Sequence, residues 1–197
     1  MADSRLTTVR EHLQRSARTF AAVEQQSVDH ILKAADLIAD SMKNGGKLLI
    51  CGNGGSAADS QHMAAEFVSR LRVDRPRAAL SAIALTTDTS FLTAYSNDEG
   101  YEGVFARQVE AHGKKGDVLL GITTSGTSKN VLRAFAEAQK RGMVTIGLTG
   151  QKGLGAKVDC VIAVPGEDQQ CTQEAHLAVE HIICELVEDR LFPRNNG

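Results

Sequence analysis

The residues in this chain best suited to chemistry are the hydroxyls of Thr123, Thr124, Ser125, Thr127 and Ser128, set around Gly126. They follow a short apolar run over 118–122 and precede Val131, Leu132, Phe135 and Ala138 at helical spacing. A strand that enters a helix through hydroxyls and a glycine makes an anion cradle. Unpaired amides at the helix N-terminus, the positive end of its dipole and the hydroxyl donors meet at one place. A single serine there would read as an N-cap. Five hydroxyls in six positions read as a phosphate site.

A second turn, Gly52-Asn53-Gly54-Gly55-Ser56, also follows an apolar run. A dinucleotide fingerprint would need glycine where Ala57 stands and an acidic residue closing the next strand, and neither is present. The turn reads as another anion- or hydroxyl-binding element opposite the Ser/Thr loop, with a plain strand-to-helix turn as the alternative. The helix after it places His62 and Glu66 four residues apart, roughly opposite a stripe of Ala57, Ala64, Phe67, Val68 and Leu71. Such a pair is ordinarily a solvated face. Here the helix starts at the ligand edge, so metal binding or acid–base work is the competing reading. The last helix carries a core stripe of Ala175, Val179, Ile182, Ile183 and Leu186. Gln173, Leu177, His181 and Cys184 lie on its other, semi-apolar side. Two such faces predict burial against a subunit or a site. On an ideal helix Gln173 and His181 are about 12 Å apart, so sharing a ligand needs reach or a distorted first turn.

These residues must be positioned by a frame, and the frame is legible. Two amphipathic helices, over 5–25 and 27–43, precede the first strand and end at Gly45-Gly46. Strands follow over 47–51, 79–85, 117–122, 143–148 and 159–164, alternating with helices. A turn at 96–100 opens a helix through Ala111, and the last helix spans 170–191. Short apolar strands alternating with helices predict an α/β fold with a five-stranded parallel sheet covered on both faces. Ligands of such sheets sit beyond the carboxyl ends of the strands, near where strand order reverses. Both glycine-containing turns lie at that edge.

The totals exclude several classes. The chain has 197 residues, 42% hydrophobic and 23% charged, with net charge −2, enough for one domain with an extension. It lacks a basic block and has six Phe, two Tyr and no Trp, which argues against nucleic acid. An apolar leader and an uncharged run long enough to span a bilayer are both missing, so neither secretion nor a membrane is expected. Four cysteines without CxxC spacing predict reduced thiols in a cytoplasm.

Taken together, Cys51-Gly-Asn-Gly-Gly-Ser56, Gln61-His-Met-Ala-Ala-Glu66, Asn97-Asp98, Thr124-Ser-Gly-Thr-Ser128 and Gln173-Glu-Ala-His176 with His181 resemble the phosphoheptose isomerases of the sugar isomerase (SIS) fold. The resemblance covers nearly the whole chain. It implies a three-layer SIS domain over 45–197 and an N-terminal helical pair over 1–44 as an oligomerisation arm. It further implies a homotetramer with active sites between subunits, a cytoplasmic enzyme, and one Zn2+ per subunit on His62, Glu66, Gln173 and His181. Substrate contacts are implied for Asn53, Gly54, Gly55, Glu66, Asn97, Asp98, Thr123, Thr124, Ser125, Ser128 and Gln173, with Glu66 and His181 as base and acid. The implied reaction is aldose–ketose isomerisation of sedoheptulose 7-phosphate for lipopolysaccharide heptose or a related glycan. Two departures stand out: Thr123 replaces the commoner Ser, and Cys171-Thr172 replace a basic residue and Ile before Gln173. Rival readings are a non-catalytic paralogue that binds the replication initiator DnaA, which lacks counterparts of Glu66 and His181, and an SIS isomerase for another sugar phosphate.

Overall fold

The computed structural model describes residues 4–193; residues 1–3 and 194–197, the outer ends of the two expected segments, lie outside the described residues. The chain begins with α1 (Ser4–Gln26) and α2 (Val28–Lys43), as the three-four spacing predicts. Gly45, with φ of +80°, stops α2 in a conformation that costs glycine little. Ser27, between the two helices, donates its hydroxyl to the carbonyl of Ala163 at 2.8 Å, which ties the arm to the sheet.

Five strands form one parallel sheet: β1 (Leu48–Gly52), β2 (Ala82–Ala84), β3 (Val118–Thr123), β4 (Val144–Gly150) and β5 (Cys160–Val164). Their order is β2-β1-β3-β4-β5, so the direction of winding reverses between β1 and β3. Alternate side chains feed two cores. Leu48, Ile50, Val118, Leu120, Ile146 and Leu148 pack toward α2, α3 (Gly55–Val68) and α7 (Gln169–Leu191). Leu49, Cys51 and Leu119 pack toward α5 (Val104–His112) and α6 (Lys129–Lys140). Two buried faces explain why the strands read as unbroken apolar runs. Asp117 fixes the start of the central pair: it accepts from the amides of Lys47 and Lys114 and pairs with the Lys47 ammonium.

Several expectations are corrected. The second strand is only three residues, not seven, because the Leu80 amide bonds to the carbonyl of Phe67 at the end of α3 instead of joining a ladder. Residues 96–99 do not form a turn. They close helix α4 (Thr89–Glu99), which starts where the Asp88 carboxylate accepts the Phe91 amide at 2.9 Å. Only Gly100, at φ of +89°, breaks the run, and a 3-10 turn (Tyr101–Gly103) leads to α5. Val68 and Ile182, placed in core stripes from spacing, are 50% and 43% exposed. Their helices are wedged between sheet and neighbour, so the buried faces rotate onto Asp59, Ser60 and Met63 in α3 and onto His176, Glu180 and Cys184 in α7. Cys184 therefore belongs to the core and not to the second face.

Candidate active site

The switch point is where the two turns meet. The chain leaves β3 at Thr123 and turns at Gly126, whose φ is +72°; a Cβ there would lie 1.9 Å from the Gly153 carbonyl oxygen, so only glycine fits. The hydroxyls of Thr123, Ser125 and Ser128 are linked at 3.3 and 2.9 Å, and Ser125 accepts from the Thr127 amide at 3.2 Å. Ser128 occupies the N-cap position of α6 but makes no cap with its side chain, having turned to Thr123. At α3 the N-cap is Gly54, which has no side chain to offer. By contrast α4 and α7 are capped by the carboxylates of Asp88 and Asp168. The two helices that start at the switch point thus have no side-chain cap and leave N-terminal amides for a ligand.

Asn53 and Asn130 bridge the turns by a reciprocal amide pair, 2.9 Å from Asn53 Nδ2 to Asn130 Oδ1 and 2.8 Å in return. Tyr101 donates its hydroxyl to Asn53 Oδ1 at 3.1 Å. A cavity of about 370 Å3 opens here, lined by Asn53, Tyr101, Glu102, Ser128, Lys129 and Asn130. Another, of about 480 Å3, lies on the other side of the loop, with Thr124, Ser125, Lys152, Asp168 and Thr172 in its wall. The resemblance named Asn53, but Asn130 and Tyr101 were missed; the one available signal was an amide residue two positions after the hydroxyl cluster.

The other half of the site lies between α3 and α7. His62 and His181 meet with Nε2 atoms 2.7 Å apart, and Glu66 Oε1 is 3.7 Å from His62 Nε2. Glu66 is half-buried, whereas His62 remains open to solvent. Gln173 stands two turns before His181 on α7, its amide 3.4 Å from Asp59 and so close to Gly55 that a Cβ there would strike it. Burial pushes the Asp59 carboxyl up, offset by the Gln173 amide and by His62. Burial, with Asp59 beside it, also pushes the Glu180 carboxyl up to about 9. Arg77, missed in the sequence, holds the end of α3 in place: it donates to the carbonyls of Glu66 and Phe67 and pairs with buried Glu188 of α7 at 2.6 Å.

His62, Glu66 and His181 are therefore brought together, while Gln173 faces Asp59. The set offers two imidazoles, a carboxylate and an amide, a donor chemistry suited to catalytic zinc. Among the described residues, the group of three whose ligand atoms already lie within 4.8 Å of one another is a different one, His12, Cys171 and Glu174. Asn97 and Asp98 stand apart in the last turn of α4, bonded to each other at 2.9 Å, and Asp98 lines a third cavity of about 650 Å3 with Arg107 and Arg133.

Comparisons with known proteins point to one family. The family described as the SIS domain matches residues 11–150. A phosphoheptose isomerase of Roseiflexus sp. (strain RS-1) is 55% identical over 164 residues, 82% of this chain and 82% of its own length. One from Burkholderia pseudomallei (strain 1710b) is 47% identical over 196 residues, 98% of both chains. The solved structure of the phosphoheptose isomerase GmhA from Neisseria gonorrhoeae superposes with a TM-score of 0.86 at 40% identity, covering 93% of this chain and 98% of that one.

Proposed function

We propose, from the premise that this chain belongs to the SIS-domain family and to its phosphoheptose isomerases and is thus a sugar-phosphate isomerase, that it converts D-sedoheptulose 7-phosphate to D-glycero-D-manno-heptose 7-phosphate. The product would enter nucleotide-activated heptose synthesis for lipopolysaccharide or a related glycan, in the cytoplasm. The observation that carries the catalytic reading is the meeting of His62 with His181, 119 residues apart, beside Glu66.

Aldose–ketose isomerisation removes a proton from the carbon beside the carbonyl, passes through an enediol and returns a proton to the neighbouring carbon. Thr123, Thr124, Ser125 and Ser128, with the free amides of α6, hold the phosphate. Asn53, Gly54 and Gly55 bind sugar hydroxyls. Glu66 takes the proton at carbon 1 and delivers it to carbon 2, and His181 serves the oxygens. Zn2+ on His62, Glu66, Gln173 and His181, one per subunit, would supply carbonyl polarisation. Asn97 and Asp98 would reach substrate at a site completed between subunits. A homotetramer is supported by an apolar groove of about 320 Å3 between α1, α2 and α7, where Phe20, Val28, Leu32 and Ile182 are each more than 40% exposed.

Glu66→Gln is expected to lower turnover by 10²–10⁴-fold, the usual contribution of such a group; retention of more than about a tenth of wild-type turnover would remove Glu66 from the role of base. Metal analysis of chain purified without chelator should show zinc that falls by about one equivalent per subunit in His62→Ala. NMR of products from sedoheptulose 7-phosphate and shorter ketose phosphates tests the substrate.

A further inference from the structure

Where α1 crosses the first turn of α7, His12, Cys171 and Glu174 present an imidazole nitrogen, a sulfur and a carboxylate oxygen within 4.8 Å of one another. We propose that they form a second metal site, distinct from His62 and His181, that takes zinc through a cysteine thiolate.

Three observations carry this. First, the donors come from elements far apart in sequence, with His12 Nε2 2.7 Å from Glu174 Oε1, so the fold and not local spacing assembles them. Second, Cys171 is fully buried beneath them, while His12 and Glu174 are about 40% exposed and leave a way in. A dry sulfur under an open imidazole and carboxylate is a mixed set that selects zinc over magnesium or calcium, which take oxygen. Third, the remaining neighbours are arranged as supports. Ser16 donates to Glu174 Oε2 at 2.5 Å, leaving Oε1 for the ion, and its oxygen is 3.7 Å from the sulfur. Arg15 lies against the group, with Nη2 3.3 Å from His12 Nδ1. Its Nε is anchored on Asp168 at 3.0 Å, which holds the guanidinium when Nη2 leaves His12 for an arriving cation.

Binding replaces one thiol proton. Cys171 releases it to solvent as the sulfur–metal bond forms. The proton that His12 donates from Nε2 to Glu174 Oε1 passes by way of solvent to Nδ1, which frees Nε2 and Oε1 for the ion as the Arg15 guanidinium leaves Nδ1. The site pins α1 to the turn that carries Gln173, at the edge of the cavity lined by Asp168 and Thr172.

The sulfur makes the test specific, because the set around His62 contains no thiolate. Full-length chain, reduced and stripped with a chelator, is titrated with Co2+. The wild type is expected to develop a near-ultraviolet thiolate-to-cobalt charge-transfer band that Zn2+ abolishes. The band should survive His62→Ala and vanish in Cys171→Ser. His12→Ala, in which every cysteine remains, should weaken the Co2+ affinity that the band reports by more than the 10–100-fold typical of losing a mere supporting partner. A wild type without the band, or a Cys171→Ser chain that keeps it through Cys51, Cys160 or Cys184, overturns the proposal. So does a His12→Ala chain with unchanged affinity.

Discussion

His176 is fully buried on α7, with Nε2 3.1 Å from the Thr149 carbonyl, and burial pushes its pKa down to about 4 from an ordinary 6.5. The bond to a carbonyl needs a proton on Nε2, so the folded chain holds the neutral ring. Between the two values the unfolded chain binds more protons than the folded one. The contribution to stability is therefore complete above about pH 6.5 and is lost as pH falls toward 4, by about 1.4 kcal/mol per unit and about 3 kcal/mol in all. His176→Gln keeps a donor for Thr149 and removes the titration. Urea denaturation at pH 7 and 4.5 should find a smaller loss of stability in the variant, and equal losses would refute the assignment. The expected core stripe omits His176, although it stands three and seven residues before Val179 and Ile183; Thr149 lying under it supplies the partner that burial requires.

At the scale of elements, the site depends on how helices begin. Carboxylate caps such as Asp88 and Asp168 are worth about 1 kcal/mol each, yet α3 and α6 forgo one. At both of these helices the uncapped end lies at the switch point. Gly126 is what makes the loop between β3 and α6 possible. Gly126→Ala places a methyl against the Gly153 carbonyl in a left-handed backbone, at a cost of about 1–3 kcal/mol. The expected result is a KM for sugar phosphate raised at least about tenfold, the loss of roughly one 1.4 kcal/mol increment, with matching weakening of inhibition by inorganic phosphate. A variant with unchanged phosphate inhibition would show that the loop does not hold the phosphate. The hydroxyl run made this element readable from sequence, since few other roles need five hydroxyls at a strand end. The helix over 96–99 was misread because polar residues before a glycine look like a turn, and the cap at Asp88 outweighed them.

At the scale of the molecule, the arm and α7 leave an apolar groove that a single chain does not fill. Leu32→Glu, on an exposed position of α2, should leave the fold intact and lower the assembly mass in analytical ultracentrifugation, with activity falling in parallel. An unchanged mass would direct the search for the interface to another face.

Legible in the residues alone were the succession of strands and helices, the two buried faces of the sheet and the hydroxyl loop after β3. Each of these is written in a local period or a local composition. The tertiary structure alone decided that His62 meets His181, that Asn53 pairs with Asn130, and that Cys171 lies beneath His12 and Glu174. Periodicity assigns a residue to a face of its own helix, but which faces meet depends on how helices dock. Here that docking rests on the contact of Gly55 with Gln173 and the buried Arg77–Glu188 pair, neither of which has a local signature.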